Sequence, residues 1–223
     1  MRLIRQLSQT LLLMATWNSG FAQKAAGYSF RTSVASFYTS ISGLSGAVTV
    51  PIACDDCSVT HIPVGFRFRF CGVDYDTISA TSNGYLSLID TSLNHHRNLD
   101  SNITHKGFIM PFWDDLTGVP HAGLVIPPAC HYLTAGMAPD RVFTFEWQGF
   151  NKNMTGCTTC GANFQVKLYE TSNAIEFIYG PSGYTTMSGS IGIANSYKDW
   201  QVVSSVTTPL TTSAVFTDTL SSF

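Results

Sequence analysis

The sequence predicts an all-β chain: a single antiparallel β-sandwich, jelly-roll-like, behind a signal peptide. Three observations predict it. In several segments apolar residues recur at every second position, the mark of strands with one buried face. Turn residues separate these segments at intervals of roughly 8–15 residues, the spacing of sandwiches and barrels. No window carries the apolar period of an amphipathic helix.

The chain opens on MRLIRQLSQTLLLMATWNSGFAQ. Arg2 and Arg5 form a short positive region, and Leu11 to Trp17 an apolar stretch too short to span a bilayer. Gly20-Phe21-Ala22 follows with small residues suited to a signal peptidase, so residues 1–22 read as a secretory signal and 23–223 as the folded domain. Strands are expected at 28–38 and 47–53. In "VGFRFRFC" Phe66, Phe68 and Phe70 fall on one face and Arg67 and Arg69 on the other. Strands at 73–80 and 84–89 come next, then a long polar loop at 90–106, a strand at 107–112 and a second long loop at 117–129. "RVFTFEWQGF" repeats the alternation, with Phe143, Phe145 and Trp147 opposite Thr144, Glu146 and Gln148. "NFQVKLYETSNAIEFIYG" reads as a hairpin turning at Thr171-Ser172-Asn173. Strands at 189–195, 200–206 and 214–217 complete the domain. No linker divides it.

Export bears on the six cysteines, Cys54, Cys57, Cys71, Cys130, Cys157 and Cys160. An even count in an oxidising compartment signals disulfides, though sequence leaves their connectivity open. The working expectation is two local loops, Cys54–Cys57 and Cys157–Cys160, plus a long bridge Cys71–Cys130. The alternative is a zinc site on Cys54, Cys57, Cys157 and Cys160, which needs free thiols outside the cell. A thioredoxin-like role is weaker, because neither CxxC precedes an amphipathic run.

Composition excludes several partners. Charged residues are 12% of the chain and the net charge is −2, so there is no basic footprint for nucleic acid and no polybasic membrane anchor. No later stretch is long and apolar enough for a transmembrane segment. No glycine-rich loop leads into a helix, and no cofactor is implied. G-x-S-x-G is absent. Glu146 and Glu176 fall on the polar faces of strands, where solvated surface is the ordinary fate, so a carboxylate pair for glycoside hydrolysis is not apparent. His95 and His96 are neighbours on an extended loop and point opposite ways, a poor arrangement for one metal. Asp114-Asp115, at a strand end, are the candidate calcium ligands. Aromatics reach 13% of the chain. Trp113, Trp147 and most phenylalanines read as core, whereas Tyr184, Tyr197 and Trp200 lie near turns and are the candidates for stacking on a sugar. Asn102-Ile103-Thr104 and Asn153-Met154-Thr155 match the N-glycosylation acceptor pattern.

"IPVGFRFRFCGVDYDTISATSNGYLSL" (62–88), "GFIMPFWDDL" (107–116), "APDRVFTFEWQGF" (138–150), "FQVKLYETSNAIEFIYGP" (164–181) and "GSIGIAN" (189–195) together resemble a β-sandwich domain of secreted bacterial proteins, often exported by type IX secretion. The "SNG-aromatic" and "PFW-acidic" segments are similar, more distantly, to the nidogen-type extracellular domain. The resemblance implies a non-catalytic secreted or outer-surface module, structural or adhesive, with an extracellular glycan or protein as its class of partner. It implies a turn at Asn83-Gly84, a core role for Trp113 and a loop role for Asp114-Asp115, and supplies no catalytic residues. The two CxxC insertions, and the lack of a C-terminal sorting domain, depart from the pattern. The alternatives are a carbohydrate-binding module and an extracellular hydrolase using Glu146, Asp114 or a histidine. In the family this chain resembles, a further closing strand follows the position of Phe223. The expectation is therefore an open sheet edge near the C-terminus, able to accept a strand from a partner.

Overall fold

The computed structural model describes residues 24–33, 37–89, 107–120, 126–152, 161–183, 189–196, 198–203 and 213–218. Its strands are β1 (Tyr28–Ser33), β2 (Val48–Val50), β3 (Ser58–Phe70), β4 (Val73–Thr81), β5 (Leu86–Ser87), β6 (Phe108–Trp113) and β7 (Leu116–Thr117). They continue with β8 (Ala129–Ala135), β9 (Val142–Lys152), β10 (Ala162–Tyr169), β11 (Ile175–Tyr179), β12 (Ser190–Ser196), β13 (Asp199–Val203) and β14 (Ser213–Asp218). The single helical element described is a 3-10 turn at Ala25–Gly27. Two antiparallel sheets face each other. The eight-stranded sheet runs β1-β14-β11-β10-β9-β8-β2 with β7 on the far end of β9, and the six-stranded sheet runs β13-β12-β6-β5-β4-β3. The fold is the expected β-sandwich.

Alternation explains the core. Ile62, Val64, Phe66, Phe68 and Phe70 of β3 are buried, while the residues between them are exposed. Phe143, Phe145 and Trp147 of β9, Phe164 and Val166 of β10, and Phe177 of β11 enter the same cluster from the other sheet. Trp147 stacks on Phe164 with ring centroids 4.9 Å apart. Its indole Nε1–H donates to the Thr81 carbonyl at 2.8 Å, so one side chain ties β9 to β4 across the sandwich. Each such ring contributes on the order of 1.5–3 kcal/mol by leaving water. A second, smaller cluster (Tyr85, Phe108, Met110, Trp113 and Ala194) lies on the opposite face of the six-stranded sheet. Trp113 is buried as expected, but in this outer cluster.

At Asn83-Gly84 the chain turns with Gly84 at φ +76°. A Cβ there would lie 2.1 Å from the Phe112 carbonyl oxygen, so only glycine admits this approach of β6. At the start of the domain the Asp199 carboxylate accepts the Ala25 and Ala26 backbone N–H groups, each at 3.1 Å, pinning the 3-10 turn to β13.

Four expectations are corrected. Cys71 and Cys130 are buried and are not joined in a disulfide: Cys71 follows β3 in one sheet and Cys130 lies in β8 of the other. The chain already fixes both positions, Cys71 through its N–H to the Tyr28 hydroxyl (3.1 Å) and Cys130 through its pairing with Val50 and Trp147. The C-terminal strand leaves no gap of the kind expected, since β14 sits between β1 and β11. The sheet thus ends at β1, paired antiparallel over its whole length with β14. Glu146 and Glu176 are 0% and 4% exposed, not solvated. Finally, β8 begins at Ala129, the last residue of the expected 117–129 loop, and no strand is expected over 130–135. Residues 1–22, His95, His96, Asn102, Asn153, Cys157 and Cys160 lie outside the described residues.

Candidate functional site

The two aspartates of "PFWDDL" part company. Asp114 turns inward, where its carboxylate accepts from Lys152 Nζ at 2.7 Å and from the Asp115 backbone N–H at 2.9 Å. This is a largely buried ion pair: the Asp114 side chain is 8% exposed and that of Lys152 32%. Asp115 turns outward and meets the first CxxC loop. Cys54 and Cys57 are joined in a disulfide, as expected, and the loop between them carries Asp55 and Asp56. One carboxylate oxygen from each of Asp55, Asp56 and Asp115 lies within 4.8 Å of the others. With Cys54 and Cys57 bonded to each other, a four-thiolate zinc site including them is ruled out.

Asn83 organises this corner. Its Nδ2 donates to Asp56 Oδ1 at 2.9 Å, and its Oδ1 accepts the Leu116 N–H at 3.0 Å. The Ser82 hydroxyl accepts the Cys57 N–H at 3.0 Å. The "SNG" turn therefore clamps the disulfide loop against the acidic loop. Three carboxylates at this spacing are hard oxygen donors of the kind calcium and magnesium take. The sequence pointed to Asp114 and Asp115 together. Only Asp115 lies in the acidic group, beside Asp55 and Asp56, while Asp114 is turned to Lys152; the CxxC spacing draws the eye to sulfur and hides the two aspartates between the cysteines.

Of the three aromatics expected to meet a sugar, Trp200 is half-exposed on β13, and Tyr184 and Tyr197 lie outside the described residues. Register places Trp200 opposite Ala194, which is opposite Phe108, so its ring sits on the face that carries the smaller aromatic cluster.

A further polar constellation occupies the outward face of the large sheet. His131, Glu146 and Gln165 are direct cross-strand neighbours on β8, β9 and β10. Residues 38–41 lie across them. Glu146 Oε1 accepts from the Tyr38 hydroxyl at 2.7 Å and from Gln165 Nε2 at 2.9 Å. Its Oε2 accepts from the Ser40 hydroxyl at 3.1 Å and the Ile41 N–H at 3.3 Å. Gln165 Nε2 also donates to the Thr39 carbonyl at 2.8 Å. Burial, and then the Glu146 carboxylate at its hydroxyl, push Tyr38 well above the ordinary tyrosine range. His131 Nδ1 stands 3.6 Å from Glu146 Oε2 and has no hydrogen-bond partner among the described residues. The Ser40 hydroxyl donates to the carboxylate and not to an imidazole, so the group lacks the relay of a hydrolytic triad.

No curated protein and no solved structure matches the chain. A family model described as NIDO related matches residues 27–223, which takes in every strand described above. The nidogen-type likeness of "SNGYLSL" and "PFWDDL" is thereby borne out. The chain belongs to the NIDO-related family.

Proposed function

We propose that this chain is a non-catalytic, exported module that serves a structural or adhesive contact at the outer cell surface or in the secreted fraction. The observation that carries the reading is the employment of its buried acids. Glu146 holds residues 38–41, Asp114 holds Lys152, Glu176 accepts the Tyr169 hydroxyl, and Asp199 pins the 3-10 turn. These four acids are each committed to holding the fold, which supports the non-catalytic reading. The family and the Cys54–Cys57 disulfide fit an extracellular protein, and no helix among the described residues is long and apolar enough to cross a membrane. Export through the 1–22 signal, by a type IX route, extends the same reading.

Trp200 favours a second reading, a glycan-binding module in which a half-exposed indole stacks on a sugar face. A binding screen of the purified mature domain against glycans and matrix proteins tests both readings, with a panel of glycoside and ester substrates alongside. The expected result is saturable binding without turnover. Glycan binding abolished by Trp200→Ala selects the second reading, and turnover of any substrate overturns both.

A further inference from the structure

We propose that residues 38–41 form a strap latched by the Glu146 carboxylate, which opens and closes as a unit separate from the sandwich beneath it. Three observations carry the proposal. Four hydrogen bonds join the strap to the sheet: Glu146 accepts from two hydroxyls and one backbone N–H, and Gln165 Nε2 donates to the Thr39 carbonyl. Glu146 is fully buried on the face that strand alternation turns away from the core, so the strap rather than the second sheet removes it from water. The segment on the outer side of the latch packs poorly, with Phe37 81% exposed before it and Leu44 50% exposed after it. Within the strap only Ile41 is buried, so hydrogen bonds supply most of its hold, and a segment so held is the kind that opens locally without global unfolding.

The latch is built for an anion. All four hydrogen bonds to Glu146 run toward the carboxylate. The Tyr38 and Ser40 hydroxyls can reverse their bonds, but Gln165 Nε2 and the Ile41 N–H can only donate. One of these two faces each carboxylate oxygen. A glutamine at this position must therefore set its NH2 against a donor, whichever way it is turned. Opening would uncover His131, whose Nδ1 makes no hydrogen bond among the described residues, together with the donor and acceptor that Gln165 and Glu146 present to an extended backbone.

Hydrogen exchange of the mature domain, read by mass spectrometry, tests the proposal on Glu146→Gln and, should that variant fold poorly, on Tyr38→Phe, which keeps the charge and removes one bond. Carbethoxylation of His131 provides a second readout of opening. The expected result is strap amides (38–47) less protected than those of β3 and β4 already in the parent, exchanging faster still by about tenfold or more in Glu146→Gln and by a smaller factor in Tyr38→Phe, with faster His131 modification. Exchange of the strap amides that is unchanged in both variants overturns the proposal. So does strap protection equal to that of β3 and β4 in the parent, which would make the strap part of the global unit.

Discussion

β3 and β9 carry the same sequence device and end in different surroundings. Each alternates aromatic and polar residues, and each sends its aromatics into the common core. On β3 the intervening Arg67 and Arg69 stand in solvent, paired at the surface with Asp74. On β9 the intervening Thr144 and Glu146 are buried, because β9 lies in mid-sheet and residues 38–41 cross its outward face. The difference teaches that period-two patterning reports which side chains face the opposite sheet. It does not report whether the other face meets water.

The comparison breaks most sharply at its shared part. Trp147→Ala removes a stacked ring and the indole bond to Thr81, and is expected to cost about 3–5 kcal/mol, read as a drop in urea midpoint. Phe68→Ala, its counterpart on β3, should fall in the same range, since both side chains are fully buried. A Trp147 variant that melts like the parent would mean that the sandwich does not depend on the β9 face. On the polar positions the two strands should diverge. Glu146→Ala leaves four donors without their acceptor and is expected to cost about 2–3 kcal/mol. Arg67→Ala should leave the melting curve where it is.

Alkaline titration sharpens the same contrast. Burial first, and a carboxylate partner second, raise Tyr38 (Glu146) and Tyr169 (Glu176) well above the ordinary tyrosine range. Burial alone raises Tyr179. In the unfolded chain these phenols ionise near pH ~10. Above that pH the unfolded state releases protons that the folded state keeps, so their stabilising contribution is complete below about pH 10 and is lost progressively above it. Urea midpoints should therefore hold steady up to about pH 10 and fall beyond it. Tyr38→Phe should make the fall shallower, and an equal slope in that variant would show that Tyr38 ionises freely in the folded protein.

What the sequence disclosed follows the same physics. Strands with strong alternation, β3, β9 and the β10–β11 hairpin, were legible because each sets apolar against polar at every step. β8 was not. In "ACHYLTA" the residue types do not alternate cleanly: the polar His131 is buried and the apolar Leu133 lies on the outward side with it. The burial of Glu146 was hidden because it depends on a segment more than a hundred positions away, and no local pattern encodes that crossing. The acidic corner was half legible. Asp115 could be read beside its strand, whereas Asp55 and Asp56 join it only through the disulfide loop and the Asn83 clamp.

The smallest expected effects separate the two neighbouring aspartates of "PFWDDL". Asp114→Asn removes the partner of a lysine that is still one-third exposed, so the loss is expected at about 1–2 kcal/mol, below that of a fully buried pair. It should appear equally in calcium and in EDTA, because Asp114 serves Lys152. Asp115→Asn is expected to stay within about 0.5 kcal/mol of the parent in EDTA, since Asp115 lies toward the surface and its carboxylate meets other acids. A calcium-dependent rise in Tm that persists in Asp114→Asn and vanishes in Asp115→Asn would assign the cation to the Asp55–Asp56–Asp115 trio. A rise lost in both variants would return the ligand role to the pair. An Asp115 variant less stable than the Asp114 variant in EDTA would reverse the division of labour drawn here, making the outward acid the structural one.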